Sequence, residues 1–351
     1  DSYDIRSKFS SLRMIWSTVG AILAGLVPTL MIKDTLNTSM YLKVAIIFGI
    51  LFGFAAVVTF IGTWEKVKPP VKTKLRDSFS EASSVLRSRS FKIFIGIYLS
   101  GQCAMDFVSG MAIYYVDDVL GGYDKGYLTM LMGVLLSSQL VGMLIFTPIM
   151  TRTSKRTTIL IGAPIRLAST LGLFAFSYTG APIVPVLLLS AGVGIGNAAT
   201  LTSIFAILAD MADIDELITS TRRPGIVSGM ATFARKISAG LSVWFIGILL
   251  SLVGYDAKLA HSGVSQALTT QCGIAMIFIV IPAILVVLLL IFGYIFPITN
   301  KEFDIVKKEI GRRCGTDGSV ASDDEKRILE RVTGFKYEDL WKVSNEHKIR
   351  S

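Results

Sequence analysis

Eight apolar runs of roughly 20 to 30 residues divide this chain, and each is long enough to cross a bilayer. They cover Met14–Ile32, Val44–Thr63, Ile93–Val116, Tyr127–Met150, Thr158–Tyr178, Pro182–Ala209, Gly225–Tyr255 and Ala267–Pro297. Inside hydrocarbon a backbone must satisfy its own N–H and C=O groups, and segments of this length do so as helices. The expected fold class is an all-α membrane protein. Only 17% of the 351 residues are charged and the mean hydropathy is +0.60, whereas soluble domains carry about 25% charge.

The net charge of +9 could suit a nucleic-acid binder, but its distribution points elsewhere. Cations gather in alternate loops: Asp1–Arg13, the stretch 65–92 with Lys66, Lys68, Lys72, Lys74, Arg76, Arg87 and Arg89, the turn Thr151–Thr157, the turn holding Arg222, and the segment from Asn300 onward. The loops between them are poor in Lys and Arg. This asymmetry orients a multi-pass protein of the cytoplasmic membrane with both termini in the cytoplasm, and no nucleic-acid partner is expected.

Cys103, Cys272 and Cys314 are widely spaced, and His261 and His347 lie in polar segments. No metal-ligand spacing, disulfide framework or nucleophile–base pair emerges, so neither a metal site nor an enzyme is expected. The chain starts at Asp1 in a charged stretch without a methionine, and reads as a fragment lacking its N-terminal part.

The most informative polar residues surround the stretch Asp210–Lys236. Asp210, Asp213 and Glu216 recur at a spacing of three and would share a helix face. With Arg222 they could form a salt-bridge gate at the cytoplasmic surface. Arg235 and Lys236 then fall about 15 Å into the next run, half the depth of a roughly 30 Å hydrocarbon core. Ionisable groups at that depth are costly and mark substrate or ion paths. Arg166 lies about as deep, counted from Arg156. Asp106 is the one carboxylate inside the runs as drawn, about 21 Å from Lys92. Asn197 follows Gly192-x-Gly194-x-Gly196 in an apolar run, where small residues favour close helix packing over nucleotide binding, and Asn197 itself could meet a sugar hydroxyl. Beyond the runs, Ser322 with Glu325 forms a capping box, Gly334 suits the end of that helix, and the tail is expected to be soluble and solvated with some interfacial contact.

Three segments together resemble the glycoside–pentoside–hexuronide:cation symporters, the melibiose-permease-like branch of the major facilitator superfamily. They are Asp1-x-x-Asp4-x-Arg6 with Arg13 and Gly20; Gly110-x-x-x-Tyr114-Tyr115; and Ala209-Asp210-x-x-Asp213-x-x-Glu216 followed by Arg222 and Lys236. The turn with Pro148 and Lys155-Arg156 is similar as well. The resemblance implies that the eight runs correspond to helices V–XII of twelve. Residues 1–64 would then close the N-terminal half, 65–92 form a basic cytoplasmic central loop, 93–299 make the C-terminal six-helix half, and 300–351 the cytoplasmic tail.

It also implies symport of a sugar, glycoside or uronide with H⁺ or Na⁺, without a cofactor, by a monomer embedded in lipid. Lys236, Asp106, Arg166, Asn197, Arg235 and Tyr114 are the candidate substrate and cation residues; Asp210, Asp213, Glu216 and Arg222 are the candidate gate. A lysophospholipid or other non-sugar carrier, or a transporter-like sensor acting through its tail, remains open. Three deep cations against one deep carboxylate favour an acidic sugar, since buried cations need counter-charge.

Overall fold

The computed structural model describes residues 38–62, 83–122, 126–257 and 265–341, with scattered positions in 16–31 and at 259. Seven helices among the described residues are long and apolar enough to cross a membrane. They are α1 (Thr38–Gly62), α2 (Arg89–Tyr114, prolonged by a π-helical turn through Val119), α3 (Tyr127–Arg152), α4 (Lys155–Gly172), α5 (Ile183–Thr219), α6 (Pro224–Leu252) and α7 (Leu268–Ile295). The first expected run, Met14–Ile32, and most of the basic stretch 65–92 lie outside the continuously described residues.

Local chemistry places the breaks. Ser154 caps α4 by accepting the Thr157 N–H at 3.1 Å. Pro224 opens α6, where its missing N–H leaves nothing unsatisfied. At the end of α5, Ser220 turns the chain with φ of 58°.

The helices α2 and α5 form the centre. Around them α6 and α7 pack on α2, α3 and α4 pack on α5, and α7 also reaches α4. Lipid removes most hydrophobic drive between helices, so fit must hold them. The glycines of α5 supply it. A Cβ at Gly194 would collide with the Leu135 carbonyl and Ser138 of α3, and one at Gly196 would come within 2.7 Å of the Gly162 carbonyl oxygen on α4.

Two findings differ from expectation. First, the sixth run does not stop at Ala209: α5 continues to Thr219, so the acidic cluster is helical and not a loop. Once Asp210, Asp213 and Asp215 have cationic partners, nothing in the local sequence breaks the helix until Ser220. Asp106 is then not the sole carboxylate on a membrane-length helix.

Second, the described part of the tail, 300–341, goes beyond interfacial contact and packs into the bundle. Two further helices, α8 (Asn300–Arg313) and α9 (Asp323–Thr333), turn Phe303, Val306, Leu329 and Val332 into the same core as Phe94 and Ile214. The apolar residues recur at helical spacing, which makes docking favourable once the polar ends are satisfied. Both helices start on capping boxes, Thr299 with Glu302 and Ser322 with Glu325. Gly334 ends α9 at φ of 80°, where a Cβ would lie 2.9 Å from the Arg89 Cβ. Glu309 is fully buried and neutralised by Arg312 at 3.1 Å, Arg313 at 2.9 Å and the Tyr337 hydroxyl at 2.7 Å. The Arg312 guanidinium and the Ser322 N–H hold the Glu325 carboxyl down at about 2. Finally, the Trp341 N–H donates to the Leu217 carbonyl at 3.1 Å and the Ser90 hydroxyl donates to the Val332 carbonyl. The tail is stitched to the ends of α5 and α2.

Candidate functional site

A polar seam joins α2 to α6. Arg235 holds Asp106 through both terminal nitrogens, Nη1 to Oδ2 at 2.8 Å and Nη2 to Oδ1 at 2.7 Å. The Cys103 thiol meets the Ser238 hydroxyl on the adjoining turn. Towards the far end Gly110 lets Ile246 approach to 2.7 Å from where a Cβ would sit, and Tyr114 stands edge-on to Tyr255 at 5.1 Å. Arg235 is the twelfth residue of α6, about 16 Å from its start. Both members of the pair are about one-fifth exposed, 22% for Arg235 and 23% for Asp106, so the seam is partly open at its surface.

Lys236 follows Arg235 by about 100° around the helix. Its side chain is exposed and has no hydrogen-bond or ion-pair partner among the described residues. Gln102 and Ser109 of α2 border Asp106 on one side of its helix and are partly or fully exposed. Gln102, Asp106 and Ser109 thus give α2 a polar strip beside the ion pair.

The other two deep candidates lie elsewhere. Arg166 is completely buried and donates Nη1 to the Gly101 carbonyl at 3.1 Å and to Asn197 Oδ1 at 2.9 Å. Asn197 in turn donates to Gln139 Oε1 at 2.8 Å. This chain of bonds ties α2, α4, α5 and α3 together in their interior. Asn197 is 3% exposed, with its amide engaged at both ends. The structure therefore separates Arg166 and Asn197, which are buried, from Asp106, Arg235 and Lys236, which reach the surface. Arg166 Nε and Nη2 and the Ser203 hydroxyl stay without partners in the described interior.

At the end of the bundle where the tail docks, the acidic stub of α5 is paired throughout. Arg222 reaches Asp213 at 3.1 Å and Glu216 at 3.8 Å. Arg223 takes Asp215 in a two-bond fork at 3.0 and 2.8 Å and touches the Ser84 hydroxyl at 3.3 Å. Lys155, at the start of α4, pairs with the buried Asp210, and its ammonium lies 5.0 Å from the centre of the Phe303 ring. Lys307 lies 4.7 Å from the same ring. Arg222 thus does meet Asp213 and Glu216, but on its own hairpin; Asp210 is held by Lys155 instead. The roles of Lys155, Asp215 and Arg223 escaped sequence reading. A signal existed in the spacing: Arg223 stands eight residues after Asp215, across a turn short enough to fold back.

Seven membrane-length apolar helices among the described residues define a multi-pass integral membrane protein. The sequence profile of the MFS/sugar transport protein family matches residues 1–300, and the chain belongs to that family, in its glycoside–pentoside–hexuronide branch. It is 28% identical over 221 residues to the glucuronide carrier protein homolog of Escherichia coli K12, covering 62% of this chain and 46% of that protein. It is 24% identical over 331 residues to a putative sulfoquinovose importer of Salmonella typhimurium LT2, covering 93% of this chain and 68% of that protein. Similarity to the isoprimeverose transporter of Lactiplantibacillus pentosus is 26% over 279 residues, covering 75% and 55%. The chain spans about half the length of the first of these relatives.

Proposed function

We propose that this chain forms part of a cation-coupled symporter that moves a sugar, glycoside or uronide across the cytoplasmic membrane with H⁺ or Na⁺. Relatives named for glucuronide, sulfoquinovose and isoprimeverose support a small saccharide as cargo. On this reading the tail-docked end of the bundle faces the cytoplasm, as the cationic loops require. The helices α2 to α7 make one six-helix half, and the protein works without an organic cofactor.

The observation that carries the proposal is Lys236. An ammonium at mid-depth is too far from either surface to reach water by snorkelling alone. Arg235 beside it is neutralised by Asp106, and Arg166 is locked among helices. Lys236 is the deep cation whose side chain is exposed and has no partner among the described residues, available to a substrate hydroxyl, a carboxylate or a coupling-site acid from the other half.

Lys236→Ala in the full-length carrier is therefore expected to abolish concentrative uptake while leaving membrane insertion intact, as judged by immunoblot of washed membranes. Normal accumulation of sugar by that variant in vesicles energised with a pH or sodium gradient would remove Lys236 from the mechanism.

A further inference from the structure

We propose that Asp106 is a built-in competitor for the anionic group of the substrate, and that the Asp106–Arg235 pair sets the discrimination between acidic and neutral sugars. The inference rests on the transport reading above and adds to it a specificity-determining pair.

The geometry comes first. A guanidinium offers a planar fork that fits one carboxylate in two parallel bonds. Asp106 takes that position on Arg235, with 2.8 and 2.7 Å contacts through the two terminal nitrogens. It occupies the edge that a uronate carboxylate would otherwise take. The Nε edge of Arg235 has no partner among the described residues, which gives an incoming anion a first foothold.

Access comes second. A pair sealed inside the bundle would be structural, as Arg166 with Asn197 is at 0% and 3% exposure. The Asp106–Arg235 pair is about one-fifth open. Exchange of one carboxylate for another at Arg235 keeps the charge count constant there, so the fork is never left unpaired at depth. The displaced Asp106 moves within reach of the polar side chains Gln102 and Ser109, one turn away on its own helix.

A neutral sugar cannot make this exchange, since a hydroxyl does not match a carboxylate on a guanidinium. Asp106 therefore weakens acidic substrates by competition while Arg235 strengthens them, and the ratio between acidic and neutral affinities reports both.

The test uses the full-length carrier in membrane vesicles and two probes, methyl glucuronide and methyl glucoside, with KM measured for each. Asp106→Asn is expected to raise the preference for the acidic probe by about fivefold or more, because the competitor is gone while Arg235 stays charged. Arg235→Gln is expected to reduce that preference to near unity. Preference unchanged from wild type in both variants, or a lower acidic preference in Asp106→Asn, overturns the inference. Should Asp106→Asn fail to reach the membrane, the same ratio is read in Asp106→Glu. That variant keeps the charge but displaces the fork by a methylene and is expected to move the ratio at least about twofold; no movement overturns the inference. Wild type that accumulates neither probe nor any other glycoside counts against the transport reading itself. Wild type that transports both probes, with ratios insensitive to these substitutions, counts against this inference alone.

Discussion

Arg166 brings a full charge to a place with 0% exposure and no carboxylate within bonding distance among the described residues. Two neutral acceptors hold it, the Gly101 carbonyl and Asn197. Removing the guanidinium leaves Asn197 with a vacant acceptor, opens the joint between α4 and α2, and creates a void. Arg166→Ala is expected to lower stability by about 3–5 kcal/mol, the scale of a buried truncation that also strands a polar partner. Thermal unfolding of detergent-purified protein checks this, and a melting temperature equal to wild type would show the network to be idle.

Residue counting ranks Asp106, Arg166, Arg235 and Lys236 by distance along their helices. It does not give azimuth. Asn197 reads as a possible sugar contact from depth alone, yet its side chain turns into the bundle. The Asp106–Arg235 pair joins residues 129 apart in sequence, and no local pattern reveals which faces of two such helices meet.

Among the elements, the tail shows what patterning can and cannot deliver. The Ser322–Glu325 capping box and the Gly334 stop were readable because capping is local chemistry. Docking was not, because it depends on the ends of α2 and α5 arriving at one place. Truncation after Lys336 removes the Leu340 side chain, the Tyr337–Glu309 bond and the Trp341–Leu217 bond. The expected cost is about 2–4 kcal/mol, seen as faster tryptic cleavage within 300–336 in membranes.

Acid should loosen the same tail. The carboxyl of Glu325 titrates at about 2 when folded, below the ordinary 4.5, so its contribution is complete above the ordinary value. It fades as pH falls towards about 2. Protease resistance that is flat from neutral pH to about 5 and declines below is the expected profile; a decline that begins above pH 6 would point to other groups.

For the molecule as a whole, alternating access requires some contacts at the tail-docked end to break and re-form. The ion pairs there differ in kind. Arg222 is about half exposed, 47%, against partners at 20%, so its bonds to Asp213 and Glu216 are worth only about 0–1 kcal/mol. Asp210 and Asp215 are 5% and 6% exposed and held by Lys155 and Arg223. On the proposed transport reading, reversible switching would fall to the first set and cohesion to the second. Arg222→Glu is expected to impair uptake in part, and Asp213→Lys added to it should recover some of the loss. A double-mutant cycle on initial uptake rates measures this, and zero coupling would exclude the Arg222–Asp213 pair from gating.

The length of α5 carries a mechanical consequence. Its 37 residues make a rod of about 55 Å, nearly twice the hydrocarbon thickness. Gly194 and Gly196, wedged against α3 and α4, provide a fulcrum near one-third of the way along. The arm from there to Thr219 is about 37 Å, so a tilt of about 10° sweeps its tip through about 6 Å. That stroke exceeds the reach of an ion pair, and Lys155, Arg223 and the tail residue Trp341 all grip the sweeping end. A movement at mid-membrane too slight to disturb the helix packing is thus amplified into one that a surface contact must either follow or release.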